Sequence, residues 1–438
     1  MNSLTLRDMS LFALVALLII GTGFVQGVNT ALTLLNFGLV SAIMALGVNL
    51  QWGFAGLFNI GVMGFVALGG LAAVLIGMPP TTEAIAEGGA RMALAMTMGA
   101  ATIVAAVVAY RHVTPGRARN LSILAILVVG FVIYRQLFDP ARDAIEAVNP
   151  AGTGFLGGLG AEGYLMLFAW PAGGLIAAGA AWIIGKTALG LRSDYLAIAT
   201  LGIAEIIIAI LKAEDWLSRG VKNVVGIPRP VSYEIELQDS EAFIARAEGI
   251  GLDPVFASTL QVRVEWAVLF TIVLVLLLVL AQLALNSPWG RMMRAIRDNE
   301  TAAEAMGKDV KARHLQIFIL GSAILGMAGA MMTTLDSQLT PAAYQPLRFT
   351  FLIWVMVIVG GSGNNFGAVL GGFVIWFLWI QVEPASQILL AVLTSPLADG
   401  SDLKDHLLSA SPHMRLITMG LVLLIMLRFF PRGLIPER

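Results

Sequence analysis

The chain has 438 residues, is 58% hydrophobic and only 13% charged, and carries a formal net charge of −1 with no cysteine. Soluble domains hold about 25% charged residues, so a mean hydropathy of +0.84 excludes an ordinary soluble domain. The near-neutral balance gives no bias toward nucleic acid, and the missing thiols exclude disulfides, thiolate metal sites and a cysteine nucleophile.

Apolar runs of span length recur from end to end. They lie near 10–28, 31–50, 56–77, 92–110, 121–138, 164–185, 195–212, 265–285, 314–335 and 414–430. A further apolar stretch, 349–380, is broken by "GGSGNNFG" at 360–367. It reads as two short spans or a re-entrant pair. The expected fold class is all-α, a polytopic helical membrane protein with about 10–12 spans and glycine-rich breaks. The first run has a weak basic flank and no clear small-x-small cleavage site, so it reads as a retained span rather than a removed signal.

Loop charge sets the expected orientation, because basic loops stay in the cytoplasm. One set of loops holds Arg111, Arg117 and Arg119, then Arg291, Arg294, Arg297, Lys308, Lys311 and Arg313, then Arg428, Arg432 and Arg438. The other holds Glu83, Glu87, Asp139, Asp143, Glu146, Glu383, Asp399, Asp402 and Asp405. The sets alternate if both termini are cytoplasmic and 349–380 begins and ends outside. The longest polar stretch, 213–263, then falls outside.

Enzyme signatures are thin. His112, His314, His406 and His413 are scattered, with no HExxH and no paired carboxylates. "AAWIIGKT" (180–187) mimics a phosphate loop, but it ends an apolar span, and Lys186 reads as an interfacial anchor. No catalytic residue, metal site or cofactor is expected in this chain.

Polar groups within spans are more informative. Glu205 sits mid-span, where a carboxylate costs roughly 2.5–3.5 kcal/mol on insertion scales. Asn49, Gln51 and Asn59 flank the first glycine-rich break, and Asn364 and Asn365 the later one. Asn59, Glu205, Asn364 and Asn365 are candidate residues of a polar translocation path, or hydrogen-bonded ties between helices.

The island "GRMMRAIRDNETAAEAMGKD" (290–309) lies between two greasy spans within the polar segment 286–313. Ser287 and Pro288 signal a helix start and Gly307 a stop. Met292, Ile296, Asn299, Ala303 and Met306 fall on one mostly apolar stripe. Arg294–Asp298 and Arg297–Glu300 have pairing spacing. A short amphipathic helix over 290–307 is expected on the cytoplasmic side, with lipid headgroups or a protein as its partner.

"SPWGRMMRAIRDNETAAEAMGKDVKARHLQIFILGSAILGMAGAMM" (287–332) closely resembles the signature region of permease subunits of branched-chain amino acid ABC importers, most of all the M-type member of the pair. "GFAGLFNIGVMGFVALGG" (53–70), "LGLRSDYLAIATLGIAEII" (189–207), "VIVGGSGNNFGAVLGG" (357–372) and "FFPRGL" (429–434) follow the family's order. These five blocks cover about a quarter of the chain. The resemblance implies a transport subunit in the cytoplasmic (inner) membrane with no catalytic chemistry of its own. It implies a second permease subunit, ATPase subunits that bind ATP and Mg, an extracytoplasmic solute-binding protein and surrounding lipid. It makes the island an ATPase-docking helix carried by Arg291, Arg294, Ile296, Arg297, Asp298, Glu300, Ala303, Glu304 and Gly307. The implied cargo is Leu, Ile or Val, with urea or short amides as alternatives. A rival reading is an ion-coupled secondary transporter or channel using Glu205 as its intramembrane carboxylate. Three features depart from the family: Ser193 stands for a usual glycine, "GVKNVVGIP" (220–228) lacks the usual Gly-Pro-Asn-Gly run, and 78–160 looks like an insertion with two extra spans.

Overall fold

The computed structural model describes residues 5–150, 154–395 and 401–437; Asp399 and Arg438 lie outside them. Ten helices are long and apolar enough to cross a membrane among the described residues. In chain order they are α1 (Leu6–Gln26), α2 (Val28–Gly53), α4 (Thr82–His112), α5 (Arg117–Ala147), α6 (Gly163–Ala188), α7 (Ser193–Ala213), α8 (Pro254–Asn286), α11 (Val310–Asp336), α13 (Asn365–Thr394) and α14 (Asp402–Phe429). Two shorter apolar helices, α3 (Val62–Gly77) and α12 (Pro346–Gly360), complete the bundle. At 1.5 Å per residue these two are only about 22–24 Å long, less than a hydrocarbon core of roughly 30 Å. The protein is a multi-pass helical membrane protein. The stretch 349–380 resolves into α12 and the first half of α13, joined by the glycine-rich turn.

The centre is built from α2, α3, α6, α11, α12 and α13. Small residues make this possible. A Cβ at Gly326 on α11 would overlap the Gly173 backbone and Ala177 of α6, and one at Gly69 on α3 would overlap the Gly326 carbonyl. Three helix backbones therefore touch, the close approach that small residues permit in membranes. Around this centre the outward faces of α1, α8 and α14 expose Leu, Ile and Val, the surface expected against lipid.

α4 and α5 form a hairpin with its own small apolar cluster of Met92, Ala95, Phe138, Ala141 and Ile145, separate from the main core. It is tied to the bundle by Trp216, whose backbone N–H donates to Glu146 Oε1 at 3.2 Å. Both helices of the hairpin fall within the segment 78–160.

Chain ends and island share one face, called here the near face. Arg7 donates to the Leu434 carbonyl (3.4 Å), and Arg297 donates to Glu437 (2.8 Å). On the far face, β1 (Val224–Val225) pairs antiparallel with β2 (Gln338–Leu339), fastening the 213–263 segment to the end of α11. The Ser337 carbonyl accepts from both Gly226 and Ile227 (3.0 and 3.1 Å).

Candidate functional site

The island is not one helix. α9 (Pro288–Asp298) and α10 (Glu300–Ala305) are separated at Asn299, which adopts extended geometry and caps α10 by accepting from Ala302 N at 2.9 Å. Asn side chains compete with the helix ladder in this way, which the apolar spacing could not reveal. Pro288 opens α9. Ser287 occupies the cap position but makes no capping bond; its hydroxyl instead donates to the Ala284 carbonyl (2.6 Å). Gly307 terminates α10 with φ +74°, as a helix stop requires.

The stripe also faces differently. Met293 and Ile296 are buried against the protein's own bundle, at 0% and 1% exposure, while Met306 is 79% exposed. Ile296 is therefore spent on internal packing and is not offered to a partner. Ala303 is half-buried; Arg291, Asp298, Glu300, Glu304 and Gly307 point to solvent. The expected Arg294–Asp298 and Arg297–Glu300 pairs do not form. Arg294 donates to the Leu285 carbonyl at the end of α8 (3.3 Å).

Arg297 is the centre of this face. Its guanidinium donates to the Gly53 carbonyl (2.5 Å), to Glu437 (2.8 Å) and to Asp298 (3.0 Å). Burial works against its charge, but the Glu437 and Asp298 carboxylates outweigh burial and raise its pKa above the ordinary arginine value. Gly53 ends α2 at the first break, and a Cβ there would overlap Asn49 Oδ1 and the Gly363 N–H. The two breaks meet at this point. Asn49 donates to Asn365 Oδ1 (3.0 Å) and accepts from Gly363 N (2.9 Å). The C-terminal tail completes the joint, with Leu434 and Ile435 N–H groups donating to the Val359 and Gly360 carbonyls (both 2.9 Å) at the end of α12.

Beside Arg297 lies a polar near-face groove of about 280 Å³. The 189–196 segment supplies one wall through Leu191 and Ser193. Glu300, Lys311 and His314 supply the other. The two most distinctive sequence segments thus meet across one groove.

The asparagines serve as ties. Asn59 is buried, donates to Gln51 Oε1 (2.8 Å), and its carbonyl accepts from Trp354 Nε1 (3.1 Å). Gln51 reaches the Phe318 carbonyl and Ser322 of α11 (2.9 and 3.0 Å). Asn364 caps α13 and donates to the Pro436 carbonyl (3.1 Å). None of these lines the cavity between the central helices. Glu205 does not either: it is exposed on the outer side of α7, about 18 Å along that helix, with no ion pair among the described residues.

That cavity, about 330 Å³, opens toward the far face between α2, α3, α11, α12 and α13. Its deep wall is apolar, with Met44, Met63, Ile353 and Met356; its outer part carries Thr333, Asp336, Gln338, Thr340 and Tyr344. Asp336 escaped the sequence reading because an acid at a span end looks like an ordinary interfacial residue. Only the β1–β2 pairing folds the following segment over it.

A family model described as "Branched-chain amino acid transport system / permease component" matches residues 30–150 and 144–427. The chain belongs to this family. Among curated relatives of the permease, the high-affinity branched-chain amino acid transport system permease protein LivM of Escherichia coli is 28% identical over 209 residues, 47% of this chain and 48% of the relative. A branched-chain amino acid transport permease protein LivM of Methanocaldococcus jannaschii is 29% identical over 252 residues, 57% and 61% of the two chains. A LivH permease of the same organism is 32% identical over 104 residues, 24% and 32% of the two. The matches span about half the length of the LivM relatives. No solved structure matches significantly.

Proposed function

We propose that this permease is the membrane-spanning subunit of an ABC importer in the cytoplasmic membrane, moving branched-chain amino acids by alternating access. A separate ATPase that binds ATP and Mg drives it, a paired permease completes the pathway, and an extracytoplasmic solute-binding protein delivers cargo. Both termini and the island then face the cytoplasm. The observation that carries this reading is the near-face joint: an exposed docking element, α9–α10, is clamped by Arg297 onto the meeting point of two broken helices. A force applied to such an element is delivered to the half-helices α3 and α12.

Docking rests on the solvent-facing side of the island, with Met306 as its apolar anchor and Arg291, Glu300 and Glu304 setting register. Met306→Asp is the test. It should abolish co-purification of the ATPase and leave the bundle's thermal stability unchanged. An intact, normally stimulated complex would overturn the docking assignment.

The ion-coupled alternative gains nothing from the geometry. Glu205 lies outside this subunit's bundle, where it lines no internal path. An exposed mid-span carboxylate instead calls for cover other than lipid. On this reading the paired permease supplies it along the α7 face of Ile198, Gly202, Glu205 and Ala209, where small residues allow close packing. The α4–α5 hairpin is an addition to the family core that sits at the periphery.

A further inference from the structure

The far-face cavity holds a carboxylate that this chain does not neutralise. Asp336 lines it, is solvent-exposed at its rim, and makes no ion pair or side-chain hydrogen bond among the described residues. The other ionisable side chain in the lining, Tyr344, is already satisfied: its hydroxyl and that of Thr333 lie 3.0 Å apart. A volume of about 330 Å³ falls at the small end of organic-ligand sites, roughly 300–1,000 Å³. The walls are methionine, aliphatic and aromatic side chains. A hard metal cation needs six or more oxygens, and no acid or histidine cluster suited to a metal occurs among the described residues.

We infer that this cavity is a cargo subsite in which Asp336 holds the ammonium group of an aliphatic amino acid. The side chain of the cargo lies against Met44, Ile353 and Met356. Its carboxylate points outward, past Gln338 and Thr340 toward solvent. Urea and short amides carry no ammonium and leave Asp336 unpaired, so the site selects a zwitterion. This assignment rests on the importer reading above and narrows its cargo.

The test uses the assembled transporter in proteoliposomes, with its solute-binding protein and labelled leucine. Asp336→Asn should lower leucine uptake by about tenfold or more, the cost of one charge-assisted hydrogen bond. Asp336→Glu keeps the charge and should stay within about threefold of wild type. Affinity of the loaded binding protein for the complex should be unchanged in both. Leucine uptake by Asp336→Asn within about twofold of wild type would overturn the subsite and leave the importer reading standing. Equal losses in both variants would overturn the role of charge. Loss of docking would mean that Asp336 meets a lysine of the binding protein, which also overturns it. A wild-type complex that moves urea or an amide but not leucine would refute the cargo reading itself.

Discussion

Replacing Arg297 with alanine removes two charge-assisted hydrogen bonds that hold the island to the first break and to the C-terminal tail. A hydrogen bond to a charged partner contributes roughly 1.5–3 kcal/mol, and the bond to the Gly53 carbonyl is the better shielded of the two. The Glu437 arm is partly solvated, with side-chain exposures of 23% and 29% on the two partners, so about 1 kcal/mol is the appropriate scale. The whole loss is then about 2–4 kcal/mol. Glu437→Gln removes only the ionic arm and should cost about 1 kcal/mol or less. The effect is local, so hydrogen exchange reads it better than a melting curve. In Arg297→Ala the amides of Gly56 and Leu57, which close the first break by donating to the Trp52 and Gln51 carbonyls (2.9 and 3.0 Å), and that of Gly363 should exchange about 30-fold faster or more. In Glu437→Gln they should change about fivefold or less. Equal acceleration in the two variants would show that the Gly53 bond carries nothing, and unchanged exchange would remove Arg297 as the clamp.

Gly326→Val places a branched side chain against the Gly173 backbone and should cost about 3 kcal/mol or more through overpacking; an unshifted thermal aggregation midpoint in detergent contradicts the three-helix approach. Glu205→Leu should weaken pairing with the second permease while raising the stability of the isolated subunit, since a carboxylate leaves a lipid-facing position; pairing measured by cross-linking that stays at the wild-type level argues for a lipid-facing α7. Burial raises the Glu234 pKa, but the Arg229 guanidinium more than offsets this and holds it below the usual carboxylate value. The folded-state pKa is depressed, so the ion pair's contribution is full above the unfolded value of about 4.3. It is lost as pH falls through the folded value. Amides of 229–239 should lose exchange protection only under that acid condition, and loss at pH 6–7 would point to another cause.

Composition and span periodicity carried the fold because a membrane imposes length and apolarity on every crossing. They could not tell how two short helices would be used. α3 and α12 are too brief to cross alone: the last carbonyls of α3 accept from Leu159 and Ala161 N–H, those of α12 from the C-terminal tail, and Asn49 ties the turn after α12 to α2 through Gly363 and Asn365, more than 300 residues away. Sequence spacing along one helix also misassigned the island's faces. Ile296 and Met306 share a stripe on paper, yet the kink at Asn299 turns one inward and leaves the other in solvent. Asp336 was invisible for the opposite reason: nothing local marks it, and only the β1–β2 pairing makes it part of a cavity.

The clamp and the cavity are joined by one element. α12 begins at Pro346 beside Tyr344 and lends Phe349, Leu352, Ile353 and Met356 to the cavity. Its other end delivers the Val359 and Gly360 carbonyls to the tail that also bears Glu437, the partner of Arg297. Midway, Trp354 fixes it to Asn59 of the first break. α12 contains no proline or glycine between its first and last residues, and kinks of more than about 20° are almost always at such residues, π-bulges or inserted groups. It therefore moves as a rod rather than bending, and its side chains pack on both halves of the joint. A shift of α9 that breaks the Arg297–Glu437 bond would act on the tail that holds the near end of this rod, and a displacement of the rod would carry the cavity wall of Phe349, Leu352, Ile353 and Met356 with it. The coupling needs no chain of small rearrangements across the membrane, only a rigid segment of about 22 Å whose two ends belong to the two sites.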